Sequence, residues 1–148
     1  MRDQFWELPL AELTNDEWEN LCDRCGKCCL IKLEDEDTNE IVYTSLACKL
    51  FDTGTCACSN YIGRKEIVDD CLQLTIEDIP NNRHWLPETC AYIRRFDDKP
   101  IADWHPLLNG GEDVMHEGGH SMKNRTQSEE IMVELEDAIP FIDRTLGP

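Results

Sequence analysis

The residues with the clearest capacity for chemistry are four cysteines between positions 22 and 29. This stretch reads C-D-R-C-G-K-C-C, so Cys22, Cys25 and Cys28 are each separated by two residues and Cys29 follows directly. A C-x2-C step predicts two thiolates that converge on one metal ion, because the two intervening residues turn the backbone back on itself. Gly26 stands where such a turn often needs a positive φ. The run therefore predicts a metal centre with thiolate ligands.

The repeated C-x2-C step is typical of the start of a bacterial ferredoxin-type iron–sulfur motif, which continues with three residues and then Cys-Pro. Here Cys29 follows Cys28 at once, and Leu30 comes next. Successive side chains of an extended segment point to opposite faces. Two interpretations are open: the adjacent cysteines serve different sites, or one is a ligand and the other a packed or supporting thiol.

Five further cysteines follow, and the chain between them contains turn signals. The sequence Asp52-Thr53-Gly54 predicts a turn that brings Cys48 back toward Cys56 and Cys58. A Cys-x-Cys pair in extended backbone places both thiols on one face, which suits two ligands of one site or a bridging arrangement. We predict that the metal ligands are drawn from Cys22, Cys25, Cys28, Cys29, Cys48, Cys56, Cys58, Cys71 and Cys90.

The spacing leaves open whether the cofactor is zinc or an iron–sulfur cluster. Eight thiolates would form two closed tetrahedral zinc sites, whereas one [4Fe–4S] cluster would use four. The odd number of cysteines, nine, and the absence of a secretory leader both argue against a disulfide framework. No apolar run approaches the ~20 residues of a membrane helix. We therefore expect a cytoplasmic location, where thiols stay reduced.

The balance of charge limits the classes of partner. The formal net charge is −17, with acidic residues spread along the chain. Such a surface repels a phosphate backbone and an anionic membrane, so we expect neither a nucleic acid nor a membrane as partner. A protein partner with a basic surface is compatible with this charge. The sequence does not indicate an oligomeric state.

Histidines are weaker candidates than the cysteines. His105, between Trp104 and Pro106, could be a ligand or a proton carrier, but a structural role is favoured because the sequence shows no partner for it. His116 and His120 have helical ligand spacing, but the two glycines between them argue against a helix there. The sequence also has no nucleotide-binding loop and no hydrolase or metalloprotease motif.

Two elements near the first cysteines can be predicted from local patterns. Thr14 and Glu17 form a capping box, which predicts a helix that ends near Leu21 or Cys22. The β-prone runs 30–34 and 40–44 flank a polar turn and predict a hairpin. The tip of the hairpin is not expected to bind calcium, because the glycine and the final glutamate of an EF-hand loop are missing.

Three further helices are expected later in the chain. The sequence 75–78 predicts a second capping box, whose short helix Pro80 ends or interrupts. Pro87 predicts the first turn of another helix, which the sequence 97–100 breaks. Apolar residues at helical spacing predict a helix over 128–139.

Length and pattern together predict one small α+β domain of short helices and a β-hairpin, organised around a cysteine-ligated metal centre. Residues 1–108 are expected to form the metal-binding core. Residues 109–148 are expected to form a C-terminal extension whose one helix packs on the same domain.

Six stretches carry a resemblance to a known family: C-D-R-C-G-K-C-C at 22–29, K-L-E-D-E-D-T at 32–38, T-C-A-C at 55–58, D-C at 70–71, W-L-P-E-T-C-A-Y at 85–92 and W-H-P-L at 104–107. From about residue 5 to 108 the chain resembles the YcgN-type cysteine-cluster proteins of bacteria. These are related to the CxxCxxCC group of YkgJ-like proteins, which is described as zinc- or iron-chelating. The resemblance implies that all nine cysteines belong to the ligand pool, with His105 as a second-rank candidate.

Three functions remain open at this point. The first is a cytosolic metal-binding protein with an iron–sulfur cluster or zinc, in a redox or metal-handling role. The second is a zinc-stabilised protein-interaction module. The third is a cluster-dependent enzyme, by analogy with a flagellin lysine methylase that contains the related CxxCxxCC domain.

Overall fold

Short helices, short strands and the loops between them build this chain. The computed structural model describes residues 1–68, 71 and 74–146. The α-helices of this part are α1 (Asn15–Leu21), α2 (Arg64–Ile67), α3 (Ile79–Asn82), α4 (Ala91–Phe96), α5 (Pro106–Asn109) and α6 (Asp113–Glu117). Its strands are β1 (Leu30–Glu34), β2 (Ile41–Ala47), β3 (Phe51–Asp52), β4 (Ala57–Cys58) and β5 (Gln127–Ser128). The predicted α+β class is confirmed.

Two compact units can be distinguished along the chain. Residues 1–24 and 74–120 form the first, which contains α1 and α3 to α6 and is called the helical unit below. Residues 25–73 and 121–148 form the second, which contains all five strands and α2 and is called the sheet unit. The predicted functional division after residue 108 stays a prediction. No helix in the described part of the chain combines the length and the apolar character that a bilayer crossing requires.

Helix α1 begins with the predicted capping box. The Thr14 hydroxyl accepts a hydrogen bond from the Glu17 backbone N–H at 3.2 Å, and the Glu17 carboxylate accepts one from the Thr14 N–H at 2.9 Å. These two bonds satisfy N–H groups that have no partner within the helix. The helix ends at Leu21, as predicted, and Leu21 is fully buried. The buried end of the helix therefore fixes the position of the chain just before Cys22.

Glu17 should make the fold sensitive to acid. Its buried carboxylate also accepts hydrogen bonds from the Arg2 backbone N–H, Nε and Nη2, at 3.0, 3.0 and 2.6 Å. The Arg2 side chain is the main cause that holds the pKa of Glu17 far below its ordinary value of 4.5. A carboxyl with a lowered folded-state pKa stabilises the fold above its unfolded-state pKa, and this contribution is lost as the pH falls toward the folded value.

We expect Glu17→Gln to lower the melting temperature at pH 7 and to flatten the loss of stability below about pH 4.5. Thermal melts followed by circular dichroism between pH 7 and pH 3 would measure both effects. Glu19→Gln is a suitable control, because Glu19 lies on the same helix but outside the capping box. Equal slopes of melting temperature against acid pH for wild type and Glu17→Gln would contradict this role of Glu17.

Helices α3 and α4 begin at later residues than the sequence predicts. Just before helix α3, the Thr75 hydroxyl donates to the Asp78 carboxylate at 2.9 Å. The helix begins at Ile79, and Pro80 lies in its first turn instead of ending it. Proline is tolerated there because N–H groups of the first turn have no helical partner. Helix α4 begins at Ala91 and not near Pro87. A turn closed by the Cys90 N–H on the Pro87 carbonyl occupies the residues between.

The sheet unit contains the predicted hairpin. Strands β1 and β2 are antiparallel, with Lys32 opposite Tyr43 and Glu34 opposite Ile41. The Asp35 carboxylate accepts bonds from two backbone N–H groups of the turn, at 2.8 and 3.1 Å, so the tip is closed by its own side chain. Tyr43 is fully buried, as are Leu46 and Met122 in the same unit. The hairpin therefore provides part of the buried core of this unit.

The expected helix over 128–139 is wrong. Residues 127 and 128 instead form β5, which pairs in parallel with β2 at Leu46 and Ala47. Two 3₁₀ segments follow, Glu129–Ile131 and Leu135–Phe141. The N–H groups of Val133 and Glu134, which lie between the two segments, donate to the carboxylate of Asp137 in the second segment, at 2.8 and 3.1 Å. A side chain that binds nearby N–H groups competes with the helical ladder, and the strand pairing fixes the start of the segment.

Candidate metal centre

Seven of the nine predicted ligands belong to the sheet unit. They are Cys25, Cys28, Cys29, Cys48, Cys56, Cys58 and Cys71. Cys22 and Cys90 belong to the helical unit. None of the nine cysteines, all of which lie within the described residues, forms a disulfide in this structure.

Gly26 shapes the turn of the first cysteines. Its φ of +85° confirms the predicted left-handed conformation, and the Cys29 N–H closes the turn on the Gly26 carbonyl at 3.1 Å. Cys28 and Cys29 lie in a 3₁₀ turn, Lys27–Cys29, and not in extended backbone. Their side chains are hydrogen-bonded to each other, while Cys28 is exposed and Cys29 is half-buried. The adjacent thiols are therefore neighbours and do not point to opposite faces.

Backbone hydrogen bonds bring the second cysteine group to the first. The Cys48 N–H donates to the Cys29 carbonyl at 2.8 Å, and the Phe51 N–H donates to the Cys48 carbonyl at 2.8 Å. Phe51 in β3 is in turn paired with Cys58 in the antiparallel strand β4. This small hairpin confirms the predicted turn at 52–54. Cys29, Cys48 and Cys58 are thus linked through adjacent backbone.

The raised pKa values of Cys29, Cys48 and Cys71 show that neighbouring thiols of this unit affect one another. Hydrogen bonding with Cys28 and then burial raise the pKa of Cys29 far above its ordinary value, and charge on Cys28, Cys48 and Cys71 raises it further. Burial is the main cause that raises the pKa of Cys48, and charge on Glu129 and then on Cys71 and Cys58 raises it further. Thiolates this close repel each other unless a cation lies between them. The name five-thiol cluster is used below for Cys28, Cys29, Cys48, Cys58 and Cys71.

Cys25 and Cys56 have a different environment. Both are buried, and the Cys56 thiol donates to the Cys25 carbonyl at 3.5 Å. Cys56 has a φ of +56°, so the expectation of an extended Cys-x-Cys with both thiols on one face is wrong. The chain turns at Cys56 because its N–H closes the loop on the Asp52 carbonyl at 2.8 Å. In this arrangement Cys56 packs inward and Cys58 stays half-exposed.

Lys32 places a positive charge beside the first cysteines. Its Nζ donates to the carbonyls of Cys28 and Leu30, at 3.3 and 3.2 Å, and lies 5.1 Å from the centre of the Tyr43 ring. Burial lowers the pKa of Lys32, and charge on the thiols of Cys28, Cys29 and Cys25 opposes that shift. A half-buried ammonium held in this way can offset the negative charge of thiolates.

Two more cations lie at Cys71. The Arg64 side chain is hydrogen-bonded to the Cys71 thiol, and its charge lowers the pKa of that thiol against the larger opposite effect of burial. The Lys65 Nζ donates to the Cys71 carbonyl at 3.0 Å. Neither cation was predicted as part of the site, because each stands six residues from the nearest cysteine in sequence and no motif places it beside a thiol.

The histidines take structural positions. His105 is buried, its Nε2 lies 2.7 Å from the Leu21 carbonyl, and its Nδ1 accepts from the Leu107 N–H at 3.0 Å. Since Nδ1 accepts, Nε2 carries the proton and donates to Leu21. Burial lowers the pKa of His105, which favours the neutral ring. This supports the structural role favoured from sequence. His116 lies on α6, which ends before Gly118, and the His120 ring stacks on Trp104 at 4.6 Å.

The donor set of the sheet unit fits a thiophilic metal by its chemistry. Thiolates are the usual ligands of structural zinc and of iron–sulfur clusters. Within residues 1–68, 71 and 74–146, however, no three histidine, cysteine or carboxylate side chains converge in an arrangement that could hold a metal ion. The thiols are neighbours in this structure, and metal binding would have to draw them to a common point.

Comparisons with known proteins agree with the cysteine pattern. Residues 21–91 match the CxxCxxCC family, whose description is "Putative zinc- or iron-chelating domain". A UPF0260 protein of Rhodobacter capsulatus is 46% identical over 129 residues, which are 87% of this chain and 87% of the relative. This chain belongs to the UPF0260 family.

Other UPF0260 members are similar over most or all of their length. The Vibrio campbellii protein is 44% identical over 149 residues, which cover 100% of this chain and 99% of the relative. The Aliivibrio fischeri protein is 48% identical over 126 residues, 84% of this chain and 86% of the relative. No solved structure matches the chain. The resemblance predicted from the six sequence stretches is thus confirmed at the level of the family, and Asp70 in one of those stretches lies outside the described residues.

Proposed function

We propose that this UPF0260 protein is a cytoplasmic metal-binding protein in which the five-thiol cluster holds zinc or an iron–sulfur cluster, in a redox or metal-handling role. The observation that carries the proposal is the proximity of five thiols within one unit: Cys48 and Cys58 are joined to Cys29 through adjacent backbone, and charge on neighbouring thiols raises the pKa values of Cys29, Cys48 and Cys71. The zinc- or iron-chelating description of the matching family supports it. Such a centre, when bound, supplies either a rigid cross-link of the fold or an electron acceptor.

The surrounding residues prepare the thiols for a cation. Burial and mutual repulsion keep Cys29, Cys48 and Cys71 protonated, so metal binding must release protons. Once the thiolates form, the Lys32 ammonium and the Arg64 guanidinium lie beside them and offset part of their negative charge. Metal affinity should therefore fall as the pH is lowered, since protons compete with the metal for the thiolates.

The direct test is metal content with a visible spectrum, on protein purified without oxygen. Iron with acid-labile sulfide and broad absorption near ~400 nm would establish a cluster and lead to a redox titration. Colourless protein with stoichiometric zinc would establish a structural site. A protein that stays free of both metals after incubation with zinc, and after cluster reconstitution with iron and sulfide, would overturn the proposal.

Lys32→Met should weaken metal binding without unfolding the sheet unit. The variant keeps the length of the side chain but removes the charge beside the thiolates, and interactions of this kind are worth about tenfold or more in affinity. Lys32→Arg should retain most of the affinity, because it retains the charge. Competition with a chelator of known zinc affinity would measure the change.

Lys123→Met is the matched control for this experiment. Lys123 belongs to the same unit, but its side chain is exposed and no contact with a thiol is described for it. The same loss of affinity in both methionine variants would show that only the overall charge of the protein matters. No loss of affinity in either variant would show that Lys32 does not contribute to metal binding.

A further inference from the structure

Four large apolar side chains are exposed within nine residues of the sheet unit. Ile131, Val133, Leu135 and Ile139 are exposed by 52%, 93%, 60% and 55%. Single exposed apolar residues are common, but several in one short segment often mark an interaction surface. This set of residues, 131–139, is called the apolar segment below.

Hydrogen bonds hold the backbone of the apolar segment, and its large apolar side chains are exposed to solvent. Met132 and Glu134 have extended conformations, at φ −81° and −125°, and Val133 lies between them. The N–H groups of Val133 and Glu134 both bond to the Asp137 carboxylate. These donors are not free to pair with an added strand. A partner cannot use these two donors, so the exposed side chains are the main groups that the segment offers for recognition.

The charged side chains of the sequence that contains the apolar segment have one sign. Residues 127–143 contain six carboxylates and no lysine or arginine. The carboxylates at 130, 134 and 136 belong to exposed residues that alternate with the apolar ones. Others serve the fold, since Glu129 accepts from the Lys49 N–H at 2.8 Å. An apolar strip with an anionic rim remains on the surface.

We propose that the apolar segment docks a basic segment of a partner protein, in which apolar side chains alternate with or flank lysine and arginine. The apolar side chains would cover Val133 and Leu135, and the basic groups would lie against the carboxylates on either side. A second copy of this chain fits poorly, because a symmetric contact would bring two anionic rims together in a protein of net charge −17. An anionic membrane is disfavoured by the same repulsion.

The test uses a labelled 12-residue peptide of alternating leucine and lysine, with a peptide of alternating serine and lysine as a control for charge alone. Fluorescence anisotropy at nanomolar peptide should show saturable binding of the leucine–lysine peptide to the wild type. Val133→Ser with Leu135→Ser should weaken it by at least about tenfold, since each side chain loses most of its buried apolar area. Val114→Ser should leave binding unchanged, because Val114 is 45% exposed but belongs to the helical unit.

Three results would each overturn the proposal. Unchanged binding by the double serine variant would show that the apolar segment is not the contact surface. Equal binding of both peptides would show that charge alone is responsible. A wild-type dimer that the double variant dissociates in sedimentation would make a second copy the occupant. Because the substituted side chains are exposed, the double variant should keep the circular dichroism spectrum and metal content of the wild type, which separates this test from that of the metal centre.

Discussion

Gly26→Ala is expected to destabilise the sheet unit by about 2 kcal/mol or more, for two reasons that act together. Gly26 has a φ of +85°, a conformation that costs a residue with a side chain roughly 1 kcal/mol. A methyl group on Gly26 would also lie 2.8 Å from Cζ of Phe51 and 3.2 Å from Sγ of Cys56. Overpacking of this kind typically costs about 1–3 kcal/mol. Urea unfolding in the presence of a chelator would measure the change without a contribution from metal.

Gly110→Ala separates the two causes. Gly110 has a similar φ of +70°, but a methyl group there would have no atom within 4 Å. We expect this control to lose only the backbone part, roughly 1 kcal/mol. Equal losses in the two variants would show that the contact with Phe51 and Cys56 does not matter. An unaffected Gly26→Ala would show that the turn between Cys25 and Cys28 adopts another conformation.

The parts of the fold that could be predicted are those fixed by short-range chemistry. The capping box at Thr14 and Glu17 depends on side chains three residues apart, and it forms as expected. The hairpin of β1 and β2 follows from two β-prone runs and a polar turn. The conformation of Gly26 follows from the tight spacing of the cysteines around it. In each case the residues that decide the structure are neighbours in sequence.

The parts that could not be predicted depend on distant residues. The apolar pattern at 131–139 indicated a helix, but the pairing of β5 with β2 connects residues about 80 positions apart and fixes the start of that segment. The inward position of the Cys56 thiol also depends on a distant residue, since it donates to the carbonyl of Cys25. Tertiary contacts override a periodic pattern when the segment is short and carries competing side chains such as Asp137.

The candidate metal centre also has a part that could be predicted from sequence and a part that could not. Cysteine spacing predicted the pool of ligands, but it gave no grouping within the pool. The grouping depends on Cys48 lying against Cys29, which is distant in sequence, and on the pairing of Phe51 with Cys58 across the small hairpin. The unequal environments of Cys56 and Cys58, two residues apart, follow from one backbone turn. The sequence therefore identifies the cysteines that could be ligands, whereas the fold decides which of them lie together.

Cys29→Ser is expected to abolish stoichiometric metal binding. Cys29 is connected to three other members of the five-thiol cluster, since its side chain bonds to Cys28, its carbonyl accepts from the Cys48 N–H, and charge on Cys48 and Cys71 acts on its thiol. Serine has nearly the same size but offers a hydroxyl, which does not ionise near neutral pH and is a poor ligand for a thiophilic metal. Loss of even a supporting group costs 10- to 100-fold in affinity, so loss of this ligand should cost about a hundredfold or more.

Cys56→Ser is the matched control, because the substitution is the same and the residue lies in the same unit. Cys56 is outside the five-thiol cluster, and a serine hydroxyl can still donate to the Cys25 carbonyl that its thiol contacts. We expect this variant to retain metal after gel filtration with a competing chelator, with metal per chain measured on the folded fraction. Metal retained by Cys29→Ser would remove Cys29 from the ligand set. Metal lost by a folded Cys56→Ser would move the centre to the buried thiols, and the turn at Gly26 would then have to open for Cys25 and Cys56 to reach a metal.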